Sequence, residues 1–355
     1  MHPSWFPNSK IHKSLDFVFD SVQNDFDEQA ALFSGINQTY TQLTGGKFEG
    51  RLFSADLGRV SIYIEYCNQA IEKEISTSPD EFSFSLALEG QSPSSTYGVM
   101  ESTDLVYDLP PSGRAVTISP PNGIVMIITA GRDALLESGL LLNDVAQRLA
   151  ELDKQGEFLK SPRLAELLRS DDFSALDVSP QAKTPEMRAK VAELMIFALA
   201  TAFTVEWRKL EDLMTFQRTA AYERYLQTRS LLRGGPRALD HNTGEHAESL
   251  GSKRSIELAF SKLVSMGPLK YSRVARLHNA RRKLMDKQRL TKNIGDIAAE
   301  EGFWDWSKFS TYYQKQFGEL PSDTRGRIAA GRSRALRKSR TTLPINQRVP
   351  SLATG

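Results

Sequence analysis

Between residues 48 and 129, apolar and polar positions change over in short bursts. Segments 59–66 (RVSIYIEY) and 81–88 (EFSFSLAL) keep a period of two, and 122–129 (NGIVMIIT) is a short apolar run. Turn-forming residues separate them at Leu57-Gly58, Ser76 to Asp80, Gly90 to Ser95, Pro110 to Gly113 and Pro120 to Gly123. Short strands punctuated this often predict an antiparallel sandwich or small barrel. An arm precedes them, with a helix expected around Asp25 to Phe33.

After Gly131 the spacing of apolar residues becomes helical. Asp133 is placed to cap a helix running to about Leu152, and Ser161-Pro162 to open another with proline at its first position. Thr184-Pro185-Glu186 starts a long helix in which Val191 to Val205 is apolar on nearly every face. Such a helix must be buried. It packs either inside its own domain or against its copy in a homodimer, and the dimer reading selects Val191, Leu194, Met195, Ala198, Leu199 and Ala202. From Gln217 to about Ile328 the chain reads all-α, apart from the break at Gly234-Gly235-Pro236. Residues 331–355 form a basic, then Thr/Pro/Ser-rich tail expected to be disordered. The expected division is 1–180 as a β-rich regulatory domain, 181–215 as a helical connector, 216–330 as a helical domain, and 331–355 as the tail.

With 355 residues and 40% apolar side chains, the chain can build more than one core. One cysteine, Cys67, excludes a disulfide scaffold or a thiolate cluster. Met1 to Lys10 lacks the apolar core of a secretory signal. The longest apolar-leaning run, Leu194 to Phe203, is about half of the ~20 residues that span a bilayer. A cytoplasmic protein without membrane contact is expected. The net charge of +2, from 45 Lys+Arg against 43 Asp+Glu, hides an asymmetry. Residues 252 to 340 hold 21 basic and 8 acidic side chains, while the remainder holds 24 and 35. A basic block on an acidic body points to a polyanionic partner for one part of the chain, or to a solvated basic face.

The segment 293–325, NIGDIAAEEGFWDWSKFSTYYQKQFGELPSDTR, decides between them. Ile294, Ile297 and Ala298 share one face of a short helix, Gly302 permits a tight turn, and Asp305 can cap a second helix. In that helix Phe309, Tyr313 and Phe317 recur every four residues. Helix, glycine turn and helix form a helix-turn-helix signature. The pattern Ile294-x-Asp296-Ile297-Ala298, Gly302-Phe303, Ser307-x-Phe309, Phe317-Gly318-x-x-Pro321 and Arg325 resembles the C-terminal domain of AraC/XylS transcription regulators. An upstream unit continues the resemblance through Leu250-Gly251-Ser252, Phe260, Gly267-Pro268, Tyr271, Arg276-Leu277, Ala280-Arg281 and Leu284. Thr324 departs from it, standing where an aromatic residue is usual. Asp27-Glu28-Gln29-Ala30 and Gly46-x-Phe48-x-Gly50-Arg51-Leu52 resemble members of the ethanolamine-operon-regulator sort.

The resemblance implies an α+β multidomain protein. Its N-terminal part would be a cupin-like antiparallel β-sandwich or barrel with helices. Its C-terminal all-α domain would hold two helix-turn-helix units joined by a spacer helix. It further implies a sequence-specific transcriptional regulator, an activator by type, acting on double-stranded promoter DNA as a homodimer. RNA polymerase and a small-molecule effector of unknown identity are candidate further partners.

Helical projection sorts the reading residues from the core. In the upstream recognition helix Ile256, Phe260 and Leu263 cluster, while Lys253, Arg254, Glu257, Leu258 and Ser261 are the expected DNA contacts. Arg254 suits a guanine and Glu257 a cytosine. In the downstream helix Ser307, Lys308, Thr311 and Lys315 point away from Phe309, Tyr313 and Phe317. Trp306 is either edge of core or a thymine-methyl contact, and Trp304 is expected to be structural. Residues 269–285 read as one spacer of ~17 residues, about 25 Å, long enough to set two reading helices in successive major grooves. Lys270, Arg276 and Arg281 on it suit phosphates, although Arg276 and Arg281 could equally brace the spacer.

The five histidines (His2, His12, His241, His246, His278) all fall outside the expected strands, so no metal or other cofactor is expected and an enzyme is disfavoured. Tyr63, Tyr66, Phe82, Phe84, Tyr97 and Tyr107 are core or pocket-lining candidates. The alternative function is a small-molecule-binding cupin-like protein with a vestigial DNA-binding domain.

Overall fold

The computed structural model describes residues 18–78, 80–89, 95–96, 99–100, 106–109, 114–137, 157–158, 160–161, 184–208, 216–217, 219–233 and 251–327. Two antiparallel sheets make up its N-terminal half. The larger runs in the order β1 (Val18–Gln23), β3 (Gly50–Asp56), β4 (Val60–Cys67), β11 (Gly123–Gly131), β6 (Glu81–Glu89), β9 (Val106–Leu109) and β13 (Lys160–Ser161). The smaller runs β2 (Ile36–Gln42), β5 (Ile71–Thr77), β10 (Arg114–Ser119), β7 (Ser95–Thr96) and β8 (Val99–Met100), and a short ribbon pairs β12 (Glu157–Phe158) with β14 (Phe216–Gln217).

Side chains from both sheets share one core. Ile36 and Ile75 of the smaller sheet meet Leu52, Tyr63, Val125 and Ile127 of the larger. The apolar run read from sequence is β11, whose first eight residues are all buried, and it pairs with β4 on one side and β6 on the other. Between the sheets lies a polar node. The buried Glu65 carboxylate accepts from Gln29 Nε2 at 2.8 Å, from Tyr40 OH at 2.6 Å and from Lys73 Nζ. Burial alone would raise its pKa, but the Lys73 charge and these hydrogen bonds hold it below the usual carboxylate range.

The arm helix is α1 (Phe26–Ala30), capped by Asp25, whose carboxylate accepts from Asp27 N at 2.9 Å. The helix expected from Asp133 begins as α2 (Arg132–Glu137), and its continuation to Leu152 lies outside the described residues. Ser161 ends β13 rather than opening a helix, and Pro162 onward lies outside them too.

The long helix is α3 (Pro185–Arg208), with Pro185 at its first position. It packs on α2, β4 and β13, so its two sides differ. Ala192, Met195, Ile196, Leu199 and Ala200 are buried within the chain, whereas Leu194 is 68% and Phe197 57% exposed. This corrects the dimer face read from sequence. Met195 and Leu199 belong to the protomer's own core and cannot also face a partner. Leu194 is exposed, Val191 is half-buried, and the side chains of Ala198 and Ala202 lie outside the described residues.

The C-terminal helices are α4 (Ala220–Arg233), α5 (Lys253–Val264), α6 (Pro268–Met285), α7 (Ile294–Glu300) and α8 (Trp306–Phe317), followed by a helical segment at 321–327. The tail expected at 331–355 lies outside the described residues. The chain divides into two compact units, Met1–Ala275 and Arg276–Gly355, a division inside α6 rather than at the expected 215/216. Within the first unit, Tyr222, Tyr225, Phe260, Tyr271 and Val274 share a core with Leu43, Val116 and Ile118 of the sheet region.

Candidate nucleic-acid interface

Each helix-turn-helix unit exposes one face of an amphipathic helix. In the first unit, Ser252 caps α5 by accepting from Ser255 N at 3.2 Å, and Ser265 ends it in the left-handed conformation at φ 53°. Ala259, Phe260, Leu263 and Val264 are buried, and Ile256 is half-buried. Lys253, Arg254, Glu257, Leu258 and Ser261 all face solvent, with Leu258 60% exposed. Phe260 is held edge-on by two rings, Tyr225 at 4.9 Å and Tyr271 at 5.3 Å.

In the second unit, Asn293 caps α7 through Gly295 N at 2.8 Å, and Gly302 turns the chain at φ 75°, a value that favours glycine. Asp305 caps α8 through Lys308 N at 3.0 Å, and Gly318 ends it at φ 69°. Phe309, Tyr313 and Phe317 are buried as the spacing predicts, while Ser307, Lys308, Thr311 and Lys315 are exposed. The Thr311 hydroxyl donates to Ser307 O at 2.9 Å, which fixes its rotamer. Trp306 sits at the edge of the core, its ring 5.8 Å from that of Phe309 and the residue 49% exposed. Trp304, expected to be structural, is 86% exposed in the turn.

Lys270 is exposed on α6, but the two arginines are placed differently. Arg276 is half-buried, with its guanidinium 4.9 Å from the Phe303 ring centroid and 3.4 Å from the carbonyl oxygens of Glu301 and Gly302. Arg281 is 3% exposed, 5.5 Å from the Phe317 centroid and 3.7 Å from Glu319. Their assignment as phosphate contacts is therefore corrected: both brace the second unit, because α6 turns them toward its core. Thr324 is fully buried, sharing a hydrogen bond of 2.8 Å with Tyr313 OH and donating to Glu319 at 2.6 Å. That polar site suits a small hydroxyl better than an aromatic ring. Glu300 gathers Lys283 at 2.7 Å, Arg289 at 3.1 Å and Lys292, and its hydrogen bonds from Lys283 and Lys292 bring its pKa down to about 2.

Sequence reasoning missed Glu72 on β5. Its fully buried carboxylate accepts from Tyr271 OH at 2.8 Å, Arg229 Nε at 2.9 Å, Arg233 Nη1 at 3.0 Å and Tyr225 OH. Burial would raise its pKa, but the Arg229 and Arg233 charges outweigh that and hold it low. The only local signal was the run Glu72-Lys73-Glu74 in a strand pattern, with partners more than 150 residues away.

Tyr63, Phe82 and Phe84 are core residues, and Phe82 and Phe84 stack at 6.4 Å. The Tyr66 hydroxyl bonds Asn122 at 3.0 Å; Tyr97 and the side chain of Tyr107 lie outside the described residues. Cys67 is a buried strand residue, and His278 is buried against Phe317 at 5.0 Å; the other four histidines lie outside the described residues. Among the described residues, no group of three or more His, Cys, Asp or Glu is placed to hold a metal ion. None of their helices is long and apolar enough to cross a membrane.

Residues 247–327 match the family described as a helix-turn-helix domain, so this segment is a helix-turn-helix domain. Over it the resemblance to AraC/XylS regulators holds. The chain is 38% identical over 73 residues to the Regulatory protein HrpB of Ralstonia nicotianae, covering 21% of this chain and 15% of that one. It is 34% identical over 76 residues to the XylDLEGF operon transcriptional activator 1 of Pseudomonas putida, covering 21% and 23%. These alignments span less than a quarter of either relative. Among solved structures, the AraC-like transcriptional activator CuxR aligns over 74% of this chain and 94% of its own at 15% identity and a TM-score of 0.36. ToxT from Vibrio cholerae O395, bound to (E)-4-(8-methylnaphthalen-1-yl)but-3-enoic acid, aligns over 83% and 100% at 12% identity and a TM-score of 0.26.

Proposed function

We propose that this protein is a sequence-specific, DNA-binding transcriptional regulator controlled through its N-terminal domain. The observation that carries this is the pair of amphipathic helices α5 and α8, each buried on one face and polar and basic on the other. Each lies with the N-terminal part of its exposed face available for the major groove. Arg254 supplies a bidentate donor for guanine and Glu257 an acceptor for cytosine N4, while Ser307 and Thr311 suit base or phosphate contacts and Lys308 and Lys315 phosphates. Its similarity to transcriptional activators such as that of the XylDLEGF operon supports an activator role on promoter DNA. Nothing in the arrangement favours the alternative of a small-molecule binder with a vestigial reader, since both exposed faces keep the residue types that reading needs.

The homodimer forms through the outer face of α3. Leu194 and Phe197 stand one turn apart on it, and Lys190 and Glu193 are exposed beside them. An apolar pair next to one charge of each sign is self-complementary about a two-fold axis, which is what an isologous contact requires. The DNA reading is tested by footprinting the full chain on genomic fragments. Discrete protected sites are expected, with protection weakened in part by Arg254→Ala and in another part by Thr311→Ala. Binding without sites, indifferent to both substitutions, would refute it.

A further inference from the structure

The Glu72 carboxylate joins the N-terminal sheet to both helices that flank α5. From α4 it takes Tyr225 OH, Arg229 and Arg233; from α6 it takes Tyr271 OH, at 3.0 Å to one oxygen and 2.8 Å to the other. The attachment has a second row. Arg229 also reaches Glu74 at 2.9 Å, Arg233 donates to Thr41 Oγ1 at 2.7 Å, and Tyr222 OH bonds both the N–H and the carbonyl of Val116 at 3.1 Å. Three of the sheet's strands thus hold α4.

The two tyrosines that end on Glu72 are the rings that enclose Phe260. Tyr225 and Tyr271 lie 6.0 Å apart and edge-on, and each meets the Phe260 ring edge-on. Phe260 is fully buried on the core face of α5, whose opposite face carries Arg254, Glu257, Leu258 and Ser261. A hydroxyl fixed at its tip leaves a tyrosine ring no freedom to tilt, and dense packing passes a shift of that ring to its neighbour. The rotation and depth at which α5 offers its outer face are therefore set from β5.

We infer that Glu72, although in the N-terminal sheet, is a positioning residue for DNA reading: through Tyr225 and Tyr271 it fixes Phe260 and so the pose of the upstream reading helix. This rests on the proposed DNA-binding function. It places the influence of the N-terminal domain on one half-site, the half read by α5. The β5 strand also lines a cleft of about 700 Å³ with Phe33, Ile36, Gln38, Glu74 and Ile75, so a change in that strand's position has a short path to the node.

The test uses full-length wild type, Glu72→Gln and Tyr271→Phe on a footprinted operator, with the α5 half-site identified as the part whose protection depends on Arg254. In wild type, scrambling either half-site lowers affinity. In both variants the penalty for scrambling the α5 half-site should shrink by about ten-fold, the loss of roughly one base contact. The penalty for the other half-site should stay unchanged, and the amides of α5 should keep their hydrogen-exchange protection. Unchanged penalties in the variants would overturn the inference. So would loss of α5 protection, because Glu72 would then only hold the fold. If Glu72→Gln does not fold, Tyr271→Phe decides alone, since it removes one hydroxyl and leaves the ring on Phe260. Wild type that protects no site refutes the DNA reading itself, a result distinct from wild-type sites with unaltered variants.

Discussion

Arg281 and Lys270 lie on the same helix, both suited to phosphates and Arg281 equally to bracing the spacer, and their burial now separates them. Arg281 is 3% exposed, lies over Phe317 and faces Glu319 at 3.7 Å, whereas Lys270 is exposed. Truncating Arg281 to alanine removes a desolvated cation–π contact and leaves a cavity beside Phe317. Breaking a buried ion pair costs about 3–5 kcal/mol when the remaining charge is stranded. Glu319 is 16% exposed and keeps Arg327 and the Thr324 hydroxyl, so the loss should fall lower, at about 2–3 kcal/mol. For a unit of this size that is a melting temperature lower by roughly 10–20 °C. Lys270→Ala should stay within ~0.5 kcal/mol of wild type. DNA affinity measured against salt, well below the melt, supplies the complementary readout. One lost phosphate contact makes the log–log slope shallower by about 0.9. That change is expected for Lys270→Ala and not for Arg281→Ala. An Arg281→Ala variant that melts like wild type and shows the shallower slope would refute the bracing role.

Two further outcomes follow from burial and charge. Glu65 and Glu72 both titrate below the ordinary carboxylate value, about 4.3, because buried cations and donors surround them. A depressed folded pKa means a stabilisation fully present above that value and lost as pH falls toward the folded pKa. The urea midpoint of the β-rich unit should therefore drop between about pH 5 and pH 3, and a midpoint flat over that range would contradict it. On α3, the double substitution Leu194→Glu, Phe197→Glu should give a folded monomer by light scattering, whereas Leu199→Glu should not fold, because Leu199 is fully buried. A folded dimer from the double variant would exclude this face as the dimer contact.

The strands were legible because β4 and β6 alternate and β11 is an unbroken apolar run, although nearly every described side chain of all three is buried, polar alternates included. The helix-turn-helix units were legible for a similar reason. The cap at Asp305, the turn at Gly302 and the four-residue aromatic repeat of α8 are local chemistry, fixed within a dozen residues. The parts misread depend on distant partners. A charge in a sequence reads as solvent-facing, and Glu65, Glu72, Lys73 and Arg281 are buried because their partners come from other elements. The apolar residues of α3 could not be divided into inner and outer faces without knowing that α2 and β4 cover only one side. Trp304 erred in the opposite direction, since a large ring reads as core and here stands in solvent.

The basic block also looks different once its acidic residues are located. Within 252–327 these acids do not dilute the surface charge evenly. Glu300 and Glu301 engage Lys283, Glu300 also takes Arg289 and Lys292, and Glu319 takes Arg281 and Arg327. Asp286 accepts from Gln288 N, Asp305 from Lys308 N and Asp323 from Leu320 N, each at a turn or helix start. Six of the eight acidic side chains are thus used in joining helices and closing turns, while Glu257 and Asp296 are exposed without an ion pair among the described residues. Lys253, Arg254, Lys262, Lys270, Lys287 and Lys315 have no ion pair among the described residues and lie on exposed surface. Lys308 is paired only with the exposed Asp305, a contact of little strength that a phosphate could replace. Among the described residues the exposed cations left for a duplex are therefore about seven, which bounds the salt slope from these residues near −6. Charge pairing inside the domain leaves these basic residues open to the proposed duplex, and the same pairing holds together the scaffold of α8.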